Sequence, residues 1–153
     1  MHTISEAEPT WKAPSLAAVP GSIDIRSEDA KVLLILLSFL ATSEKIPLDL
    51  LFRGATPRKR WNELGEIEEV DAIHAGLVPE LGSLLSDIPR LNNTFHELVL
   101  SSAVSENSDQ VYTVDEAVAR VHESLSPELH SFWRYHALVI AYRAIPWKYI
   151  EPA

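Results

Sequence analysis

Cysteine is absent from this chain of 153 residues, which excludes disulfides and thiolate metal sites. Glycine is scarce. The five glycines build neither GxxxxGKS/T nor GxGxxG, so no Gly-rich phosphate loop is present. Fixed cations are outnumbered, 13 Lys and Arg against 22 Asp and Glu, for a net charge of -9. Phosphate contact needs clustered Lys and Arg, so no nucleic acid and no anionic membrane is expected as a partner. No apolar run approaches the about 20 residues of a bilayer span. The N-terminus has no basic segment leading into an apolar one, as a signal peptide would. A cytoplasmic location is expected.

What is present is an ordinary globular composition, 46% hydrophobic and 23% charged, at a length that suits one domain. Its centre of gravity is Val32 to Ala41, VLLILLSFLA, apolar at every position but Ser38. At roughly 2 kcal/mol per buried large apolar side chain, no other stretch offers as much. Ser27 stands as N-cap, Glu28 and Asp29 suit the first turn, and Pro47 bars continuation. A helix apolar on nearly every side belongs inside a bundle.

Around it the pattern predicts short helices with firm breaks. Residues 1–26, with Pro9, Pro14, Pro20 and Gly21, form a loose arm. Ile46 to Phe52 reads as a short helix with Pro47 in its first turn and Gly54 at its end. Gly76 to Ser86 gives another, and Pro89 opens a further one with Leu91, Phe95 and Leu98 at helical spacing. Leu98 to Val104 turns β-like, Glu106 to Asp109 is a turn cluster, and Gln110 to Val114 completes a hairpin. Thr113 and Glu116 match a capping box for a helix carrying Val118, Val121, His122 and Leu125. Ser126 and Pro127 then open a long last helix, with Leu129, Phe132, Trp133, His136, Ala137, Ile140 and Ala144 as its apolar stripe. Pro146 stops it, and residues 147–153 form an aromatic tail.

Catalytic patterns fail one by one. His96-Glu97 and His122-Glu123 are each half of HExxH, but Leu100 and Ser126 stand where the second histidine is needed. His130 and His136 lie about 240° apart on a helix and cannot share a metal there. There is no GxSxG elbow, and Glu66, Glu68, Glu69 and Asp71 have no EF-hand spacing. No enzyme, cofactor or metal site is expected. Two groups remain as candidate partner-binding residues: the basic cluster Arg58, Lys59, Arg60 and Trp61, and the aromatics Tyr142, Trp147 and Tyr149. For the basic cluster, a solvated loop with internal ion pairs to the following glutamates is the plainer expectation. For the aromatics, Phe132 and Trp133 belong to the core, with the tyrosines at its rim.

Helices, then a hairpin, then a capped helix is the order of a winged-helix domain. Asp29-Ala30-Lys31 running into Leu33 to Leu40, then Ile46-Pro47 and Leu50-Leu51, resembles the winged-helix region of fungal NOD-like receptors. These are signal-transducing NTPases of NB-ARC (STAND) type. The likeness continues in Leu91, Phe95, Leu98 to Leu100, Tyr112 to Val114, Phe132 to Arg134 and Ala137-Leu138, covering about Ser27 to Pro146. It implies a regulatory module that packs on a nucleotide-binding domain. In that family a histidine after the second wing strand touches the ADP phosphate; the matching position here is Asp115, whose charge would repel phosphate. With no phosphate loop present, the expectation is a detached module acting on a nucleotide-binding domain in trans, or on itself.

The fold expected is therefore mainly α: a winged-helix-like bundle over residues 27–146 with one short β-hairpin and a long C-terminal helix. The function expected is a non-catalytic regulatory or protein-interaction module. The alternative, a DNA-binding winged helix, needs a basic recognition helix and wing. Here Arg90 is the sole fixed cation between Gly76 and Leu98, and the wing carries Glu106 and Asp109.

Overall fold

The computed structural model describes residues 27–40, 45–116, 118 and 120–145. Over these residues the protein is mostly helical, with five α-helices and two small antiparallel sheets. The arm 1–26 and the tail 147–153 lie outside the described residues. No helix among those described is long and apolar enough to cross a membrane.

Helix α1 (Glu28–Leu40) sits at the centre, as its composition requires. Leu33 to Leu37 are fully buried, because α4 (Ile88–Leu100) and the C-terminal helix α5 (Pro127–Ala144) pack against this helix. Ser27 caps it: its Oγ accepts from Ala30 N at 3.0 Å and donates to Glu97 Oε1 at 2.7 Å. Asp29, in the first turn, receives a bidentate pair from Arg90 of α4 at 2.8 and 2.9 Å. Ser38, the one polar interruption, is buried and donates back to Ile35 O at 2.7 Å.

Ile46-Pro47 is not helical. It forms β1, paired antiparallel with Tyr112 and Val111 of β5 (Val111–Val114), and Leu48 N donates to Gln110 O at 2.9 Å. Proline is tolerated on this edge strand, and α2 (Leu48–Ala55) starts directly after it. Nor does Gly54 end the helix. It lies within it, where α2 crosses α5 (Pro127–Ala144) so closely that a Cβ would stand 2.5 Å from Ile140 Cγ2.

Arg58 to Trp61 form a strand rather than a loop: β2 (Arg58–Trp61) pairs with β3 (Ile67–Val70). A turn series then leads through Gly76, at φ +112°, so the next helix starts later than expected, at α3 (Pro79–Leu85) with Pro79 in its first turn. Helix α4 (Ile88–Leu100) is capped by Asp87, whose Oδ1 accepts from Arg90 N at 3.2 Å, and buries Leu91, Phe95 and Leu98. It runs on through Leu100. The positive φ of Ser102 turns the chain into β4 (Val104–Ser108), which takes up residues expected in the turn. Strands β4 and β5 form the hairpin, β1 joins β5, and the sheet order is β1-β5-β4. Phe95 stacks on Tyr112 at 4.0 Å between ring centres and locks α4 to this sheet.

The capping box at Thr113 does not form. Thr113 is still in β5, and its hydroxyl donates to Asn107 across the hairpin. Val121–Ser124 make only a 3-10 turn. The last helix starts as expected, Ser126 Oγ accepting from Leu129 N at 3.3 Å and Pro127 at N1.

Candidate functional site

The basic cluster splits by strand alternation. Across the β2–β3 ladder Arg60 stands opposite Glu68 and Lys59 opposite Glu69. Arg60 itself is buried. Its guanidinium donates to Lys59 O at 2.7 Å and, on α5, to Arg143 O at 3.0 Å and Ile145 O at 3.1 Å. Arg143 answers from the other side, donating to Gly54 O at 3.0 Å, Thr56 O at 2.7 Å and Val70 O at 3.1 Å. Arg53 Nε adds Ala144 O at 3.0 Å. Cations on the last carbonyls of a helix meet its negative end. Arg60 therefore holds the hairpin to the end of α5. Arg58 is half-buried, while Lys59 and Trp61 are exposed on the outer face.

That outer face carries an apolar cross-strand pair, Trp61 against Ile67, each about half exposed, with Leu64 at the turn open to solvent. Asp71 closes the hairpin. The N–H of His74 first, then its imidazole, at 2.8 and 2.9 Å, hold the Asp71 carboxyl below the usual carboxylate range. Among the described residues, no group of three His, Asp or Glu side chains is arranged to hold a metal ion.

The second apolar surface is on α5. Trp133 is fully buried and Phe132 half-buried, as expected of core residues. Tyr135, Leu138, Tyr142 and Ile145 instead face outward, with exposures of 49%, 59%, 59% and 59%. Their spacing of three, four and three residues keeps them within about 80° of arc along roughly 15 Å of helix. At half exposure of large side chains this is roughly 400 Å² of apolar surface, the size at which monomer patches are often functional. Tyr142 also borders a cleft of about 280 Å³ shared with Arg60, Val70, Ala75, Val139 and Arg143. Of the predicted aromatics only Tyr142 is described; Trp147 and Tyr149 lie outside the described residues. Tyr135 and Tyr142 lie at the rim as expected of the tyrosines, while sequence reasoning missed Leu138 as surface.

A third surface lies between α4 and the β4–β5 hairpin. A polar cleft of about 330 Å³ is lined by Asn92, His96, Glu106, Asp109, Gln110 and Tyr112 among others. Burial, then the charges of Glu106 and Asp109, push the Tyr112 hydroxyl above its usual range. No Lys or Arg among the described residues lines this cleft, and Arg90, the sole fixed cation of α4, is engaged by Asp29. Asp115 follows β5, exposed, its N–H donating to Ala103 O at 2.9 Å. Searched against protein-family models, curated proteins and solved structures, the chain matches none.

Proposed function

We propose that this chain is a non-catalytic, winged-helix-type interaction module of the kind found in NOD-like receptors. In this proposal it works in the cytoplasm and docks a protein through the exposed face of α5. The topology supports the architecture: α1, β1, α2, the inserted β2–β3 hairpin, α3, α4, then β4 and β5, with sheet order β1-β5-β4. The observation that carries the function is the half-exposed stripe Tyr135, Leu138, Tyr142 and Ile145. A standard interface needs about 800 Å² per partner, so the stripe supplies its apolar centre, with polar surroundings completing it.

The partner is a nucleotide-binding domain in trans or a second copy of the chain. DNA is the poorer occupant, because the surface a winged helix turns to DNA carries Glu106 and Asp109 here and no free fixed cation among its described residues.

The test is light scattering of the full chain across concentration, together with photo-crosslinking from a benzophenone residue at position 138 in cell extract. We expect a dimer or one discrete protein adduct, either lost in Leu138→Glu/Tyr142→Glu. That variant should keep wild-type stability within about 0.5 kcal/mol, since both sites are exposed. A monomer at all concentrations that gives no adduct would refute the docking face. A salt-dependent shift of duplex DNA would favour the DNA alternative.

A further inference from the structure

We infer that the cleft between the end of α1, the 3-10 turn and α5 binds a carboxylate whose body is apolar. The cleft, about 380 Å³, is walled by Phe39, Leu40, Ala137 and Leu138, and its polar lining includes His122, His130 and Arg134. At roughly 30 Å³ for a water-sized group, it has room for about a dozen heavy atoms, within the range of small-ligand sites.

Its electrostatics run against the molecule's. The chain carries a net charge of -9, yet no Asp or Glu among the described residues lines this cleft. His130 and Arg134 are i and i+4 on α5 and so lie one above the other, while His122 reaches in from the 3-10 turn. The Phe39 ring and the two imidazoles form a triangle: Phe39 is 5.0 Å from His122 and 4.9 Å edge-on from His130, and the two imidazoles are 5.9 Å apart. None of the three polar side chains has a hydrogen-bond or ion-pair partner among the described residues, and Nδ1 of His122 is buried without one. The buried Nδ1 of His122 calls for a ligand or water, while His130 is half-buried and Arg134 is exposed and open to an incoming group. The guanidinium of Arg134 suits a carboxylate bidentately, and Phe39 and Leu138 suit the apolar body behind it. A free small acid and an acidic peptide share this chemistry. The site shares only Leu138 with the stripe, and Arg134→Gln tests it without touching a stripe residue.

The test follows the histidine Cε1–H resonances of the full chain by NMR at fixed pH. The probes are phenylacetate, phenethylamine, inorganic phosphate and the peptide acetyl-Phe-Glu-amide. Phenylacetate should move His122 and His130 saturably and leave the buried His136 in place. Arg134→Gln should weaken this about tenfold, the scale of one charge-assisted contact, with the His136 resonance reporting an intact fold. Leu138→Asp, at an exposed wall position, should weaken it too and stands in if the first variant misfolds. Tighter binding of the peptide would identify an acidic peptide as the source; tighter binding of phenylacetate, a free acid. No saturable shift, an equal response to phenethylamine or to phosphate alone, or unchanged binding in both variants would overturn the assignment.

Discussion

Gly54→Ala sets two physical effects against each other at one atom. Helix propensity alone makes it stabilising by roughly 0.8–1 kcal/mol, since Gly54 lies inside α2. Packing makes it destabilising. The added Cβ would meet Ile140 Cγ2 at 2.5 Å, Ile140 O at 2.7 Å and Ile140 Cα at 3.0 Å. The methyl of Ile140 can turn away, but the other two atoms are α5 backbone and cannot. The helices must then part, which strains the bonds that bridge the crossing, Arg143 Nε to Gly54 O and Arg53 Nε to Ala144 O. Overpacking costs about 1–3 kcal/mol, and each weakened bond about 1 kcal/mol. Set against the propensity gain, the net expectation is a loss of about 2–4 kcal/mol. Urea unfolding of the full chain, followed by circular dichroism, reads it as a lower midpoint at unchanged slope. Adding Ile140→Ala should restore only part of the coupling, because it removes Cγ2 and leaves the carbonyl and Cα. A Gly54→Ala midpoint equal to or above wild type would refute the close crossing.

Other expectations follow from the buried polar groups. Arg143→Met leaves Gly54 O, Thr56 O and Val70 O without their donor. It should cost about 2–4 kcal/mol and speed amide exchange across residues 58–70 more than in α1. His136 is buried, its Nδ1 on Phe132 O at 2.8 Å and its Nε2 accepting from Val78 N at 3.3 Å. Burial lowers its proton affinity, and the Phe132 carbonyl opposes that only in part. Its contribution is therefore fully present above the unfolded value of about 6.5. It is lost as pH falls from there toward the depressed folded value, by at most about 1.4 kcal/mol per pH unit. His136→Gln should accordingly cost more stability at pH 7.5 than at pH 5, and a constant difference across that range would refute the buried neutral imidazole.

Local signals were legible where the chain obeys them locally. The apolar run with Ser27 before it gives α1, and Ser126-Pro127 gives the start of α5, because cap and burial depend on neighbours in sequence. Ile46-Pro47 misleads because proline suits both a helix start and an edge strand. What decides is pairing with Tyr112 and Val111, more than 60 residues along the chain. Thr113 misleads for the same reason, its hydroxyl being taken across the hairpin by Asn107. In Arg58-Lys59-Arg60-Trp61 the charges hide a strand alternation, and nothing local distinguishes the buried Arg60 from its exposed neighbour. Of the candidate surfaces, Tyr142 was legible as an aromatic beyond the core stripe. So was Tyr135, as a tyrosine at the rim; Leu138 was not, because leucine on a helix reads equally well as core. The anion-suited cleft joins residues from three elements, and no single window of sequence contains it.

The three arginines at the end of α5 also have a mechanical consequence. Arg53, Arg60 and Arg143 tie its last turn to α2 and to the β2–β3 hairpin through carbonyl oxygens. Chain beyond Ile145 therefore leaves from a braced anchor rather than from a fraying helix end. Tension applied there would pass into the hairpin and α2 as a shear load shared over several hydrogen bonds, before it reached the apolar centre. A pull on this end would turn the hairpin, with Trp61, Leu64 and Ile67 on it, like a lever.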